Sequence, residues 1–449
     1  MNFDVVIVGA GPAGLAAAYA IIKNNPDCSI ALIEAGQERT ENSCLMGQKG
    51  TCLRCATCST ISGIGGCFLP SHASKLSFPP SGKRLSKLLG EKEYNRVCEE
   101  LWDFYCEFTE QIGVPYPTVS AKFNFLKETI DMHFSHLTLK NYPIHISSEK
   151  EHYIFLKNLK GFLSERITLV TNCCIDLNND LKVDPKTIKL SNGEKIHYES
   201  LFIATGRKGY KNTQLFFMNN DITKECENIN FGVRYALPSK YLNVISECHP
   251  DFKVKHKKTI CDLETFCFSN NARGGRVVYL KYDTFLNIDG HISINKIGDE
   301  MGNEIVGNFA VLFENRTKST SFCDIESRIS NSFNNTFKHE AIRFPLFMSG
   351  QSCLSDFFDD NEFKEIIEFS MSIFNLIAII NQISIEELTK DIFVYGPEIE
   401  NIWGELRDIS ENFKIADDIY AIGDCTGLAQ GIISSMVMGY KAGENYVYQ

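Results

Sequence analysis

The pattern of apolar and polar residues predicts a parallel α/β unit at the start of the chain. Val5–Val8 is an uninterrupted apolar run, as expected of a strand that is buried on both faces. Leu15–Ile22 is rich in alanine and contains no turn residue, so it predicts a helix. Ile30–Ile33 predicts a second buried strand. The order of strand, helix and strand is typical of a βαβ unit.

The same kind of pattern predicts elements further along the chain. Apolar residues at helical spacing predict helices over Arg84–Gly113, Tyr153–Leu163 and Ile366–Ile383. Asn287–Gly290 has the composition of a hairpin turn. Alternating apolar and polar residues predict strands that we expect to form a separate sheet: Asn230–Leu237, Arg276–Leu280 and Asn308–Phe313.

Three glycines lie between the first predicted strand and the first predicted helix. Their G-x-G-x-x-G spacing allows a tight turn, a close approach of pyrophosphate to the backbone, and tight packing of helix against strand. The helix N-terminus offers unpaired N–H groups to phosphates. An acidic residue after the second strand can accept hydrogen bonds from ribose hydroxyls. The predicted dinucleotide contacts are Gly9, Gly11, Pro12, Ala13, Gly14, Glu34 and Ala35.

Two later segments favour FAD as the dinucleotide. Leu201–Gly206 is an apolar strand that ends in Ala-Thr-Gly, and Ile419–Asp424 is a strand that ends in Gly-Asp before a glycine-bordered helix. This combination resembles the FAD domain of glutathione reductase. The resemblance implies that the aspartate binds the ribityl chain and that the last helix points its N-terminus at the flavin. The further predicted cofactor contacts are Val170, Ala204, Thr205, Gly206, Gly423, Asp424, Gly431 and Ile432.

These motifs predict a divided chain of the α/β class. A split Rossmann-like FAD-binding domain of the glutathione-reductase type takes residues 1–43, 150–210 and 412–449. A cysteine-rich, flavin-facing segment with a helical insertion takes residues 44–149. A second, sheet-rich α+β substrate domain takes residues 211–411. We find one glycine fingerprint, so a dedicated NAD(P)H domain is not evident, and NAD(P)H, a ferredoxin-like protein or the substrate itself remain as sources of electrons.

Amino-acid composition and charge limit the cellular locations and the binding partners that we expect for the chain. The chain has 449 residues, a formal net charge of −11 and 17 cysteines. The negative charge argues against nucleic acid or an anionic membrane as a main partner, and the cysteines indicate a reducing, cytoplasmic location. We expect neither a signal peptide, because the chain begins with a core strand, nor a membrane span. The basic run Lys253–Lys258 predicts a solvated loop rather than a docking site, and the oligomeric state is open.

Five cysteines fall within 24 residues after the predicted ribose-binding acid. Four of them, Cys44, Cys52, Cys55 and Cys58, are close enough in sequence to bind an iron–sulfur cluster or Zn²⁺. A Cys-x2-Cys pair could instead exchange electrons with FAD as a dithiol and disulfide, and the third interpretation is that the cysteines are inert. The fifth, Cys67, ends a glycine-rich stretch in which Gly65 and Gly66 are further predicted cofactor contacts.

A set of short segments along the chain carries a further resemblance: Gly63–Gly66, Lys75-Leu76, Asn230–Arg234, Thr265–Phe268, Gly274-Gly275, Asp289–Ser293, Asn308–Leu312, Gly423–Gly427 and Gly431–Ser434. Together they resemble the uncharacterised bacterial FAD-dependent dehydrogenases that are often labelled NAD-utilizing dehydrogenases. The resemblance covers nearly the whole chain and implies a flavoprotein with a split FAD domain and hydride chemistry. The chain departs from the family at Cys67–Leu76 and at Arg207–Tyr210, which indicates a specialised substrate.

Candidate catalytic groups are few. Cys67 is a candidate flavin-facing thiol, and Cys267 either faces the flavin or fills the core. His291 is either a proton donor or substrate contact, or a structural histidine of a turn. Arg234 is either a ligand for a substrate carboxylate or part of a surface ion pair, and His72 is either a proton shuttle or a loop residue.

The chain is therefore expected to be an FAD-dependent oxidoreductase acting on a small organic substrate. Two alternatives remain. The first is a thiol–disulfide redox flavoenzyme that uses the cysteines of residues 44–67. The second is a non-catalytic flavin-binding or tRNA-associated protein.

Overall fold

A computed structural model describes residues 1–38, 58–68, 72–182, 185–223, 226, 229–281, 286–293, 305–333, 341–404, 406 and 409–447 of the chain. The strands are β1 (Asn2–Val8), β2 (Ile30–Ile33), β3 (His72–Ser77), β4 (Thr138–Leu139), β5 (Ile144–Ser147), β6 (Ile167–Val170), β7 (Leu181–Lys182), β8 (Thr187–Lys189), β9 (Lys195–Ile203), β10 (Asn230–Pro238), β11 (Val254–Lys257), β12 (Cys261–Ser269), β13 (Gly275–Lys281), β14 (Leu286–Ser293), β15 (Val306–Asn315), β16 (Ile342–Arg343), β17 (Phe393–Glu400), β18 (Lys414–Ala416) and β19 (Ile419–Ala421).

The helices are α1 (Pro12–Asn24), α2 (Lys83–Leu89), α3 (Glu91–Phe108), α4 (Phe123–His133), α5 (Glu149–Ser164), α6 (Tyr210–Asn219), α7 (Asn243–Cys248), α8 (Phe322–Phe333), α9 (Phe344–Met348), α10 (Asp360–Asn381), α11 (Ile385–Lys390) and α12 (Ile432–Glu444). Within the described ranges, no helix is both long and apolar enough to cross a lipid bilayer.

The first sheet is a parallel, doubly wound arrangement. Its strand order is β18-β19-β9-β1-β2-β6, and the neighbours from β19 to β6 run parallel. The hairpin of β7 and β8 adds to β9. Counted in chain order, the five parallel strands stand as 5-4-1-2-3, so the order reverses between β1 and β9. Ligands of such sheets bind at this reversal, outside the carboxyl ends of the strands.

The second and third sheets are antiparallel and come mainly from the middle of the chain. The second has the order β16-β17-β10-β15-β12-β11-β4, and the third has the order β13-β14-β3-β5. Two strands of the third sheet, β3 and β5, belong to the stretch in which the sequence predicted a helical insertion. They join β14 from the predicted substrate domain, so the two stretches are tied by backbone hydrogen bonds.

Most of the predicted elements are confirmed. The first βαβ unit, the two helices α2 and α3 within residues 84–113, the helix α5 and the long helix α10 lie where the pattern indicated. The strands β10, β13 and β15 also match the predicted alternating stretches.

Two local predictions are wrong. Asn287–Gly290 is not a hairpin turn but lies inside β14, paired with β13. Gly290 is small for another reason, because a Cβ there would overlap the Arg234 guanidinium. The basic run at residues 253–258 is not a loop, since Val254–Lys257 forms β11 between β4 and β12.

Two helices pack closely behind the parallel sheet. Gly439 and Gly443 of α12 face α1, and a Cβ on Gly439 would overlap the carbonyl oxygen of Ala13. The opposing surface of α1 is alanine-rich and buried. Small residues on both helices let the two backbones approach, and the contacts of Gly439 with Ala13 and of Gly443 with Ala17 show that the two helices run in the same direction.

Candidate functional site: an open glycine cradle beside a buried charge network

The three glycines after β1 have different surroundings. Gly9 has a φ of +110° and a Cβ there would overlap the carbonyl oxygen of Ala204, at the end of β9. A Cβ on Gly14 would overlap the carbonyl oxygen of Gly9. A Cβ on Gly11 would meet no atom of the described residues within 4 Å, and its φ of −78° suits any residue. The first and third glycines are therefore needed for packing, whereas Gly11 borders open space.

Two further open glycines lie at the same edge of the sheet. Gly206 follows β9 with a φ of +55°, and Gly431 precedes α12 with a φ of +90°. A Cβ on either would meet no protein atom within 4 Å. Next to them, Ala204 donates its backbone N–H to Val8, and the Thr205 hydroxyl is 2.7 Å from the Thr213 hydroxyl.

Both helices that point at this edge lack a side-chain cap. Gly11 is the N-cap of α1 and Gly431 is the N-cap of α12, and neither helix has an acidic residue in its first turn. Pro12 and Ile432 are the first helical residues. Gly423 lies between the two helix ends, with its Cβ position 2.7 Å from the Cβ of Ala13. Two sets of first-turn N–H groups and two positive dipole ends therefore point in the same direction, toward the carboxyl edge of the sheet.

Glu34 lies at the carboxyl end of β2 and is only 6% exposed. Its carboxylate accepts hydrogen bonds from the backbone N–H groups of Ala10 (2.9 Å), Gly36 (2.7 Å) and Gly63 (2.8 Å). Its own N–H donates to the carbonyl of Val170, and Ala35 connects it to Gly36. Glu34 thus holds together the glycine turn, the end of β2 and the glycine-rich segment 58–68, and a carboxylate has about four acceptor sites.

The glycine-rich segment packs on the glycine turn. Gly65 donates its N–H to the carbonyl of Ala10 at 2.8 Å, and the Cβ position of Gly66 is 3.0 Å from the Cα of Gly11. Cys67 is exposed, while Cys58 is half-buried against the core.

The metal prediction falls largely outside the described residues. The structure does not describe Cys44, Cys52 and Cys55, so their clustering with Cys58 stays a prediction. Among the described residues, no group of three or more His, Cys, Asp and Glu side chains is arranged to hold a metal ion.

Asp424 follows β19 and is held from two sides. Its Oδ2 accepts hydrogen bonds from Arg207 Nε and from Trp403 Nε1, each at 3.2 Å. Arg207 also forms an ion pair with the buried carboxylate of Glu400 at 2.7 Å. Burial raises the pKa of Glu400, and Arg207 opposes this shift. Because both bonds end on Oδ2, the described neighbours leave Oδ1 of Asp424 to a ligand.

The groups around this edge of the sheet are of the kind that bind a dinucleotide. The sheet reversal, the open faces of Gly11, Gly206 and Gly431, and the two uncapped helix ends offer N–H groups without a bulky or acidic competitor. Glu34 and Asp424 stand at opposite ends of this arrangement, after β2 and after β19.

A buried charge network lies in the antiparallel sheet. Arg234 of β10 is fully buried, and its Nε and Nη2 donate to Glu398 of β17 at 2.7 and 2.5 Å. Its Nη1 donates to Asn308 Oδ1 at 2.7 Å and to the carbonyl of Cys267 at 3.1 Å. Burial raises the pKa of Glu398 in spite of the Arg234 guanidinium. Arg234 is therefore neither part of a surface ion pair nor available to a substrate carboxylate, because its nitrogens are occupied internally.

Two residues of β14, Asp289 and the predicted site residue His291, lie beside this network. Asp289 Oδ1 is 3.6 Å from Arg234 Nη2, and Asp289 Oδ2 is 3.8 Å from His291 Nε2. Burial alone would raise the pKa of Asp289, but His291 and Arg234 outweigh burial and lower it. Burial lowers the pKa of His291 to about 4, so its imidazole is neutral at pH 7.

Cys267 lies on the other side of Gly290 and adopts an unusual backbone conformation. Its φ is +45°, at a bulge where the register of β12 and β15 shifts. Its thiol donates to the carbonyl of Gly290 at 3.3 Å, and Lys75 Nζ approaches the sulfur at 3.5 Å. Burial raises the pKa of Cys267 to about 12, so it is a thiol rather than a thiolate at neutral pH. Strained non-glycine residues of this kind cluster at functional sites.

Sequence patterns missed several members of this site. Lys75 forms a 2.7 Å ion pair with Asp251, which also accepts from the Tyr142 hydroxyl. Glu398 and Glu400 occupy alternate positions of a strand whose other residues are mostly apolar, and that alternation was a usable signal of an internal charge site. His72 begins β3, and its side chain lies outside the described part.

The beginning of the chain is similar to known proteins. The Thi4 family model matches residues 1–42, which contain β1, α1 and β2. The thiamine thiazole synthase of Eremothecium gossypii is 56% identical over 45 residues, which are 10% of this chain and 14% of that protein. A probable electron transfer flavoprotein-ubiquinone oxidoreductase of Acinetobacter baylyi is 60% identical over 43 residues, 8% of each chain. The chain thus spans 14% or less of the length of these relatives.

Solved structures resemble the chain over more of its length but at low identity. Pyridoxine 4-oxidase from Mesorbium loti is 12% identical, with a TM-score of 0.45 over 99% of both chains. Glycine oxidase from Bacillus cereus is 11% identical, with a TM-score of 0.35 over 98% of this chain and 94% of that chain. At these TM-scores we base the fold and the site on the geometry above.

Proposed function

We propose that this chain is an FAD-dependent oxidoreductase that exchanges a hydride or electrons with a small organic substrate. The supporting observation is the open cradle formed by Gly11, Gly206 and Gly431 at the reversal of the parallel sheet. A glycine at position 11 is required neither by its φ nor by contacts with the described residues, so a ligand that approaches the backbone would explain its small size.

Specific residues would hold FAD in this cradle. Glu34 would accept a hydrogen bond from the ribose of the adenosine, and the first turn of α1 would bind the pyrophosphate. Asp424 would offer Oδ1 to the ribityl chain, while α12 would direct its N-terminus at the flavin. When bound, FAD supplies the acceptor or donor for the hydride. This assignment corresponds to the glutathione-reductase type of FAD domain and to the NAD-utilizing dehydrogenases that the motifs resemble.

The buried network supplies the chemistry of the protein itself. His291 is neutral, so it can accept a proton from a substrate, and Asp289 lies beside it as a carboxylate. Cys267 remains a protonated thiol held by Gly290 and Lys75. The exposed position of Cys67 leaves thiol–disulfide exchange as an alternative at the glycine-rich segment. The proposal also includes an iron–sulfur or zinc site and reduction by NAD(P)H. It further includes a cytoplasmic location and no nucleic acid among the partners.

Absorbance spectroscopy tests the proposal. Protein purified without oxygen should be yellow, and protein stripped of flavin should rebind FAD more tightly than FMN, because FMN lacks the adenosine that Glu34 would bind. Bleaching of the flavin on addition of NADH or NADPH would identify the reductant. Failure to bind either flavin would contradict the proposal.

Glu34→Ala is a poor probe of ribose binding. It would leave three backbone N–H groups without their acceptor, and unpaired buried donors cost about 1–3 kcal/mol each. Loss of flavin in that variant would therefore not separate ribose binding from local unfolding, and Gly11→Ala is the sharper probe.

A further inference from the structure

A basic surface forms where three distant stretches of the chain meet. It comprises Lys83 and Arg84 at the start of α2, Lys140 just after β4, and Lys253, Lys255 and Lys257 in or next to β11. Lys83, Arg84 and Lys257 are exposed, and the other three are half-buried.

Backbone pairing places these cations together. β11 pairs with β4 in the register Val254 to Leu139, and Lys140 donates its N–H to the carbonyl of Lys253 at 2.9 Å. The pKa of Lys140 is lowered, first by burial and then by the positive charges of Lys83, Lys255 and Lys257. The positive charges of Lys83, Lys140, Lys255 and Lys257 are therefore close enough to act on one another, and an anionic partner would reduce this repulsion.

The surface is strongly positive in a chain that is negative overall. Asp262, Glu264 and Glu314 lie on the neighbouring strands β12 and β15. Glu264 pairs with Lys253 at 3.2 Å and with Lys255, and Arg316 pairs with Asp262 at 3.3 Å. Seven cations thus face three carboxylates, an excess of four positive charges, whereas the whole chain carries −11.

The basic surface borders the proposed flavin site. Arg84 Nη1 donates to the carbonyl of Gly427 at 3.2 Å, in the turn that follows Asp424. Gly82, immediately before α2, has its Cβ position 3.6 Å from the Cβ of Ser434 in the first turn of α12. A partner on this surface would therefore sit close to the segment that holds the cofactor.

We propose that the basic surface docks a small acidic electron-carrier protein, with an iron–sulfur or flavin centre, that delivers electrons to the FAD. This inference rests on the proposed function. Two reduced carriers would each lose one electron, and the FAD would gain these two electrons together with two protons from water. The lysines are distributed over a strand and the beginning of a helix, and such a distribution is suited to attracting an oppositely charged protein. A nucleotide, by contrast, is bound in a concave, largely apolar site.

Charge reversal tests the docking. The probe is a plant-type [2Fe–2S] ferredoxin, and its affinity for the FAD-loaded protein is measured by calorimetry at about 20 mM and about 300 mM NaCl. Lys83→Glu combined with Lys257→Glu changes two exposed residues of the surface. The matched control, Lys157→Glu combined with Lys189→Glu, makes the same change in net charge at exposed residues of α5 and β8.

The first variant should weaken ferredoxin binding about tenfold or more at low salt, and the control should not. The difference between the two variants should shrink at high salt. Equal binding by both variants would overturn the proposal, as would a loss of NADPH affinity with ferredoxin affinity unchanged, which would make the surface a nucleotide site. Flavin content is measured on the same samples, so an absence of FAD would contradict the proposed function separately from the docking.

Discussion

The cradle at the parallel sheet and the network in the antiparallel sheet are built by opposite means. The cradle consists of backbone, glycines and helix ends, and its parts come from short contiguous motifs such as residues 9–14. The network consists of charged and polar side chains from β10, β14, β15 and β17 that are buried and contact one another. The comparison shows that an open ligand site depends on the absence of side chains, whereas a closed polar site depends on the full set of partners.

Removing one partner from the network should have the largest effect. Arg234→Met leaves Glu398 and Asp289 buried without their counter-charge, and breaking a buried pair costs about 3–5 kcal/mol. Urea denaturation at pH 7 would measure the loss in the free energy of unfolding. Arg234→Met combined with Glu398→Met removes both charges and should recover much of that loss. A double variant no more stable than the single one would show that the pair is not the dominant interaction.

The protonation of His291 should have the next largest effect. The folded protein protonates this residue only near pH 4, whereas the unfolded chain does so near pH 6.5. Between these values the unfolded state binds more protons, so the wild type loses stability as the pH falls, by up to about 3 kcal/mol at pH 4. His291→Gln lacks this contribution, and its unfolding free energy should fall less between pH 7.5 and pH 4.5. Parallel pH profiles for the two proteins would contradict the neutral imidazole.

The smallest effects on stability are expected for two glycines of the same motif, and they should differ between the two positions. Gly14→Ala would overlap the carbonyl of Gly9 and should cost about 1–3 kcal/mol of stability. Gly11→Ala meets no protein atom, so stability should change by less than about 1 kcal/mol. The same variant should nevertheless bind FAD more weakly, as measured by flavin fluorescence during titration. Unchanged FAD affinity in Gly11→Ala would contradict the assignment of the open space to the cofactor.

Local patterns predicted the cradle because each part is encoded by neighbouring residues. Apolar runs fixed β1 and β2, and the glycine spacing between them fixed a turn whose packing is visible at Gly9 and Gly14. For the region of the network, local patterns predicted only two candidate site residues, Cys267 and His291. Arg234 was assigned to the surface or to a substrate, because a charged residue in an alternating strand does not reveal which partners the other strands provide.

The sequence alone determined the βαβ unit, the glycine turn and the acid that follows the second strand, since hydrophobic periodicity and backbone freedom act over a few residues. Tertiary structure alone decided that Gly290 makes room for Arg234 rather than forming a turn, and that Lys83, Lys140 and Lys257 share one surface. These outcomes depend on strand register and on contacts between residues up to hundreds of positions apart. Charge and steric exclusion act through space, and no local pattern records which groups the fold brings together.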